Sequence, residues 1–462
     1  MRIGSGRRSM ALALAMVFLV SSLFFVSADV SADDSWDRMI SSRVDADRAM
    51  DHLYMLSKKI GPRVSGMKSE KQAAKYIATQ LKRHGYQIDE QSFSVPDQYI
   101  GYVHLNGKEK WQVGASPEGR ITNKRPVSGS LIYVGEGLSQ KDYGKGAAGK
   151  MVLIQYDADN RNEQLKRAVE NNARGVLFYS TTGSRGNHGP AFSPRFDETV
   201  DIPVLGISWI HGQWLMERLE KGERVKIKVN TEHHSQLTSV NVIGSRPAKT
   251  RSSQTPVVMV TAHLDSVVGA PGANDNASGT ALALELARVM KNDGTDVELR
   301  FAFFGSEERG LLGSRHYVDQ LSDEEADRII GVFNADMVAT RYEHVTHLYA
   351  MTVDGEENPV SKAAVQAGER LGHPVAQGRF GSSDHVPFHQ RGIPAALFIW
   401  MRVDSWDPLI YDIEKVYHTP QDTIEENISR ERMQTALEVI GSAVFDLLRK
   451  PQPAQEPWRR AS

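Results

Sequence analysis

Five short segments in the C-terminal half of the chain carry ionisable side chains in an order that suits metal chemistry. His263-Leu264-Asp265 closes an apolar run, and the loop beyond it reads Gly272-Ala273-Asn274-Asp275-Asn276-Ala277-Ser278-Gly279. Gly305-Ser306-Glu307-Glu308 and Asn334-Ala335-Asp336 end two further apolar runs, and Tyr417-His418-Thr419-Pro420-Gln421-Asp422 stands late in the chain. Each has an ordinary reading on its own: Asp275 as turn chemistry, Glu307 and Glu308 as the solvated start of a helix. Jointly, two histidines and several carboxylates at successive strand ends call for a cation, because unpaired charge converging in a cleft is expensive. The chain has no cysteine, so the donors must be His, Asp and Glu. That set suits zinc and excludes thiolate designs, with cobalt or manganese as possible substitutes.

The elements that position these groups follow from the apolar pattern. Runs at 257–262, 299–304, 332–335 and 395–400 read as near-continuous apolar strands. They alternate with helices at 279–290, from about 311, and at 430–448. That alternation predicts an α/β domain whose mixed, mostly parallel sheet is covered by helices on both faces. In such sheets ligands bind beyond the carboxyl ends of the strands, which is where the five segments lie.

Upstream, residues 96–235 change character. Short β-rich runs at 131–134, 151–154, 176–179, 204–207 and 225–229, with one helix at 163–172, read as a small β-rich domain inserted into the larger one. Residues 40–86 read as two amphipathic helices. The second, around 70–84, has Ala73, Ala74, Ile77, Ala78 and Leu81 at helical spacing and stops at Gly85. The expected division is therefore 40–95 and 236–450 for the larger domain, 96–235 for the insertion, and 451–462 as a disordered, Pro- and charge-rich tail.

A chain of 462 residues exceeds what one core usually serves, which agrees with two folded units. Its 40% hydrophobic and 24% charged residues are those of an ordinary globular protein. A net charge of −2 without long single-sign runs argues against nucleic acid as a partner. The first residues differ in kind. Arg2, Arg7 and Arg8 precede an apolar stretch over 10–26, and Ser27-Ala28 and Ser31-Ala32 follow. This describes a secretory signal peptide over 1–28, cleaved at Ala28 or Ala32, in preference to an uncleaved anchor helix. The Arg7-Arg8 pair is only a weak twin-arginine signal. The expectation is a protein secreted to the extracellular space or periplasm, with no stable membrane span after cleavage.

The ordered set of the five motifs resembles the zinc aminopeptidases of peptidase family M28, secreted bacterial type, over 40–90 and 236–448. The region between resembles the protease-associated (PA) domain that many of them carry as an insertion. The resemblance implies the zinc-aminopeptidase, phosphorylase-like fold and hydrolysis of N-terminal peptide bonds by two zinc ions per chain. It implies that His263 and Asp336 hold one ion, Glu308 and His418 the other, and that Asp275 bridges them. Glu307 is then the general base, and Tyr417 either hydrogen-bonds the oxyanion or is a packed aromatic. Asp265 is expected to orient the imidazole of His263, and the Asp275–Asn276 peptide bond is expected to be cis.

The segment Gly381-Ser382-Ser383-Asp384-His385-Val386-Pro387-Phe388 also matches. It implies a bracing or pocket role, with Asp384 and His385 structural and not catalytic. Asn276-Ala277-Ser278 fits a glycosylation pattern that its place in the loop discounts. His188, His211, His233, His234 and His316 fall outside the motifs and read as surface or satisfied core residues.

Two rivals differ in chemistry. A single-zinc glutaminyl cyclase of the same fold lacks the first histidine, which His263 supplies here. A peptidase-fold binding protein that has lost its chemistry shows substitutions among the ligands, and none is seen. A related metallopeptidase family opens on His-x-Asp followed closely by Val-Pro, and Ser266-Val267-Val268 lacks that proline. Peptide or protein N-termini are thus the expected substrates.

Overall fold

The computed structural model describes residues 32–106, 109–144, 146–183, 187–250, 252–403 and 411–449. The signal-peptide reading of 1–28 and the disordered-tail reading of 451–462 lie outside the described residues. Ala32, the second candidate cleavage position, opens a helix, Ala32–Arg43.

The larger unit is built on a nine-stranded sheet. Its strands are β1 (Gln87–Val95), β9 (Leu237–Arg246), β10 (Val257–His263), β11 (Glu298–Phe304), β12 (Ile329–Ala335), β13 (His347–Thr352), β14 (Val375–Arg379), β15 (Ala395–Val403) and the short β16 (Tyr411–Asp412). They lie in the order β1-β9-β11-β10-β12-β15-β13-β14, with β16 beside β15. The centre, β11-β10-β12-β15, is parallel; β9 joins β11 and β13 joins β15 antiparallel.

Every residue of β10 is buried, as expected of a strand with helices on both sides. Its residues alternate between two cores. Val258 and Val260 pack with helices Ala46–Leu53, Lys68–Arg83, Gly279–Met290, Pro359–Leu371 and Arg430–Arg449. Val257 and Met259 face the opposite side, with Tyr317, Val318 and Phe388. Each such fully buried side chain contributes about 1.5–3 kcal/mol relative to exposure.

The second helix expected within 40–86 is Lys68–Arg83, and the first has a feature the sequence did not announce. Ala46–Leu53 runs directly into a π-helical stretch, Tyr54–Ile60, and only then does Lys68–Arg83 begin. Among the described residues no helix is long and apolar enough to cross a membrane.

The inserted unit is a closed seven-stranded barrel of β2 (Gln98–Leu105), β3 (Glu109–Ala115), β4 (Val127–Tyr133), β5 (Met151–Gln155), β6 (Gly175–Tyr179), β7 (Val204–Ile207) and β8 (Lys226–His234). Alternation again sorts its residues. Leu153, Leu177 and Leu205 fill one core, while Val152, Ile154, Val176 and Phe178 pack a second against the helix Arg161–Glu170. Closure leaves no strand edge of the barrel open.

The barrel is docked onto the loops that leave the large sheet. Val268 packs against the barrel core. Gly269, at φ +79, donates its N–H to Gln112 Oε1 at 3.2 Å, and any Cβ there would meet the Gln112 carbonyl.

Candidate metal centre

His263 is the last residue of β10, Glu307 and Glu308 form a 3₁₀ turn just past β11, and Asp336 follows β12. Three adjacent parallel strands thus deliver their chemistry at one edge. Asp275 sits in the loop before helix Gly279–Met290, and its peptide bond to Asn276 is cis. His418 arrives from the loop after β16. The backbone here departs from common geometry. Ser306, Leu311, Met337 and His418 all adopt positive φ, between 59° and 62°, a region such residues enter at a cost and mostly near functional sites.

The side chains converge. His263 Nε2 lies 3.1 Å from Asp275 Oδ1 and 3.4 Å from Asp336 Oδ1. His418 Nε2 lies 2.9 Å from Asp275 Oδ2 and 3.1 Å from Glu308 Oε2. These make two donor triplets, His263–Asp275–Asp336 and Asp275–Glu308–His418, that share Asp275. They are not satisfied by pairing. Among the described residues, Asp336 Oδ1, Glu308 Oε1 and His418 Nε2 are buried without hydrogen-bond partners, so for His418 neither short contact has hydrogen-bond geometry. Buried polar atoms are otherwise almost always paired.

The electrostatics make the same demand. Burial opposes charge on His263, yet Asp336 and Glu307 push its imidazole well above the ordinary range. Glu308 and Asp275 do so for His418, again against burial. Burial, with Glu308, Asp384 and Asp336 repelling and His263 opposing, raises the Glu307 carboxyl well above the carboxylate range. A cluster that holds its histidines as cations is one that a divalent ion on neutral imidazoles would neutralise. The donor chemistry and the orphaned atoms therefore fit zinc.

Asp265 does more than flank the ring. Its Oδ1 is 3.5 Å from His263 Nδ1, which makes no hydrogen bond, while its two oxygens accept the main-chain N–H groups of Glu307 and Glu308. Tyr417 is stacked on His418 at 3.7 Å and lines the same cleft, where burial first, then Asp275 and the glutamates, keep its phenol well above its usual pKa. Ser383 donates to Asp336 Oδ2 at 2.8 Å and is itself held by Asn334, which Thr261 holds in turn. Asp384 is fully buried, and burial pushes its carboxyl up to about 7 against the opposing pull of His263 and Ser314. His385 contacts the Phe380 carbonyl at 2.8 Å. Asn276 is buried and donates to the Ala335 carbonyl.

Sequence reasoning missed several supports. Glu70, fully buried, accepts from the N–H of Gly66 and of Ser306 and from the Ser239 hydroxyl. Arg63, also fully buried, donates to the carbonyls of Leu264, Pro271 and Gly272, fixing the loop on both sides of its turn. Gly272 must be glycine: at φ +58 a Cβ would lie 2.2 Å from the Asp275 carbonyl oxygen. Asp422 accepts the N–H of Asn274 and of Asp275. The sequence carried one signal for these, the place of Asp422 at the end of the segment Tyr417–Asp422 that holds His418.

A cleft of roughly 370 Å³ opens over the centre. Its polar end is the donor set with Glu307, and its floor is Phe380, Leu397, Ile399, Met401 and Ile413. Among the described lining residues one, Asn187, comes from the barrel.

Comparison with known proteins agrees with this architecture. The model of peptidase family M28 matches residues 241–444, and that of the PA domain matches 127–215. The chain is 39% identical over 408 residues to the aminopeptidase YwaD of Bacillus subtilis, covering 88% of this chain and 85% of that one. It is 28% identical to leucine aminopeptidase 2 of Trichophyton equinum, over 72% of this chain and 67% of the other. The structure of BSAP, a zinc aminopeptidase from Bacillus subtilis, superposes with a TM-score of 0.63 at 35% identity, over 91% of this chain and 99% of the other.

Proposed function

The chain belongs to peptidase family M28 and hydrolyses peptide bonds as a zinc aminopeptidase, and on that premise we propose that it is a secreted enzyme working with two zinc ions and Glu307 as general base. The observation that carries the dinuclear reading is the position of Asp275, one oxygen turned to each histidine and shared by both donor triplets. In this reading His263 and Asp336 hold one ion, Glu308 and His418 the other, and Asp275 both. Bound there, zinc supplies Lewis acidity toward the scissile carbonyl and lowers the pKa of water.

The chain's own groups do the rest. Glu307 takes a proton from the attacking water onto its carboxyl and delivers it to the nitrogen of the leaving amine. Glu307 stands beside the donor set but belongs to neither triplet, which leaves its carboxylate available to hold that proton between the two steps. Tyr417 keeps its own proton and so can donate a hydrogen bond to the developing oxyanion. Asp265 fixes the main chain on which Glu307 and Glu308 stand. The apolar floor of the cleft favours a large apolar first residue. The N-terminal Arg2, Arg7 and Arg8 followed by an apolar run support export, with 96–235 as the insertion between 40–95 and 236–450.

The test is hydrolysis of leucine p-nitroanilide by the purified protein, before and after chelation and with zinc restored, alongside a zinc count. Activity that disappears with the chelator and returns with zinc supports the reading. No activity with two zinc ions bound turns it toward another amide substrate. N-terminal sequencing of protein recovered outside the cell tests export: a start after Ala28 or Ala32 is expected, and retention inside the cell defeats it.

A further inference from the structure

The catalytic unit supplies the donors, Glu307, Tyr417 and the apolar floor, but among the described residues the cleft has one wall residue from elsewhere. Asn187 lies in the barrel, between β6 and β7, and lines the cleft with the catalytic groups. Its place is set on both sides. Its carbonyl accepts the N–H of Gly183 at 2.8 Å, and its side-chain amide lies over the Cα of that glycine. The next residue, His188, ties the segment to the catalytic loop. Its main-chain N–H donates to the Lys415 carbonyl at 2.8 Å, and its ring Nδ1 lies 3.0 Å from Gln421 Oε1. Its ring also stacks on Trp209 of the barrel at 4.4 Å. Lys415 and Gln421 bracket Tyr417 and His418, so the barrel is fastened to the loop that carries both.

Within the described residues no hydrogen bond occupies the side-chain amide of Asn187, which is half-buried at the cleft. A primary amide offers one donor group and one acceptor, the complement of a peptide unit. The other polar parts of an N-terminal substrate have different needs. The free amine calls for carboxylates, and the scissile carbonyl calls for electrophiles, which the centre supplies. What remains for a neutral amide is the main chain of the second residue. Resting on the aminopeptidase reading above, we propose that Asn187 is a specificity-determining residue. It hydrogen-bonds the peptide main chain just past the scissile bond, so that the inserted domain helps the enzyme prefer peptides to amino-acid amides.

The experiment compares kcat/KM for Leu-Gly-Gly with that for leucinamide, in the full-length protein and in Asn187→Ala. The preference for the tripeptide is expected to fall about tenfold, the worth of one or two lost hydrogen bonds, carried by KM and not by kcat. Asn187→Asp, which keeps the shape and the acceptor but not the donor, is expected to fall between the two, with thermal midpoints of both variants matching the parent. A preference that stays the same, or falls through kcat alone, overturns the inference while leaving the aminopeptidase reading intact. Absence of hydrolysis of either substrate by the parent defeats that reading instead.

Discussion

Asp265 accepts the main-chain N–H of Glu307 at 3.0 Å through Oδ1 and that of Glu308 at 3.2 Å through Oδ2. One carboxylate at the end of β10 thereby sets the positions of the two glutamates at the end of β11. Glu70 takes the preceding amide, that of Ser306, at 3.1 Å. Three consecutive main-chain N–H groups are thus held by two buried acids, and the side chains of Glu307 and Glu308 are aimed from a fixed backbone.

Replacing Asp265 by Asn sets an NH₂ group against one of those amides and removes a buried charge. Zinc affinity is expected to fall about 10–100-fold, as for other groups that orient metal ligands, and kcat to fall with it even at saturating zinc, because Glu307 is displaced too. Zinc titration followed by kcat at saturation measures both. Normal kcat once zinc is restored would mean that Asp265 serves the metal and not the base.

Glu307 and Asp275 are expected to separate chemistry from metal binding. Glu307→Gln keeps size and polarity but cannot take a proton, so zinc content should match the parent while kcat falls by about 10²–10⁴-fold. Asp275→Asn removes the charge shared by both donor triplets, and the zinc count itself should fall. Metal analysis beside kcat distinguishes them. Near-normal turnover by Glu307→Gln would require a different base.

How much of this was legible in the sequence depended on whether function needed adjacent residues or distant ones. The strands β10, β11, β12 and β15 were readable because burial on both faces forces continuous apolar runs, and the donor residues because they close those runs. By contrast, β1 (Gln87–Val95) is mostly polar, and its pairing with β9 crosses the whole inserted barrel. The helix Pro359–Leu371 carried a readable start, Asn358 capping Val360 and Ser361 with a proline at its first turn, but no chemistry drew attention to it. Arg63 and Glu70 act on loops some 200 residues away, through carbonyls and amides that leave no side-chain pattern. His188 looked like an isolated histidine because its partners, Lys415 and Gln421, meet it only in the fold.

The packing of the N-terminal helices should make stability sensitive to acid. His52 lies 2.7 Å from the Tyr76 hydroxyl, and burial, helped by His84 and Arg288, lowers its pKa to about 4. Between pH 6.5 and 4 the unfolded chain therefore binds a proton that the folded chain refuses, and stability falls as pH drops through that window. At pH 5 the loss from this residue is on the order of 2 kcal/mol. Urea unfolding of the parent and of His52→Gln at pH 7 and pH 5 measures it as a difference, since the zinc ligands titrate alike in both. The parent should lose more stability than the variant on acidification; equal losses would mean that His52 is not held neutral.

Metal removal tests the centre as a unit. Asp275, Glu308 and Asp336 are gathered with two histidines in a largely buried cluster whose orphaned oxygens and ring nitrogen have no hydrogen-bond partner among the described residues. An ion bound there stabilises the folded state by mass action, because the unfolded chain does not hold the donors together. Stripping zinc with a chelator is expected to abolish leucine p-nitroanilide hydrolysis and to lower the thermal midpoint by several degrees. Adding zinc back should restore both. The shape of that titration decides the stoichiometry. Two donor triplets joined through Asp275 predict full activity and full stability only at two equivalents per chain. If both are complete at one equivalent, the second triplet does not hold a zinc ion the reaction needs, and the mononuclear chemistry of the cyclase-like alternative becomes the better account.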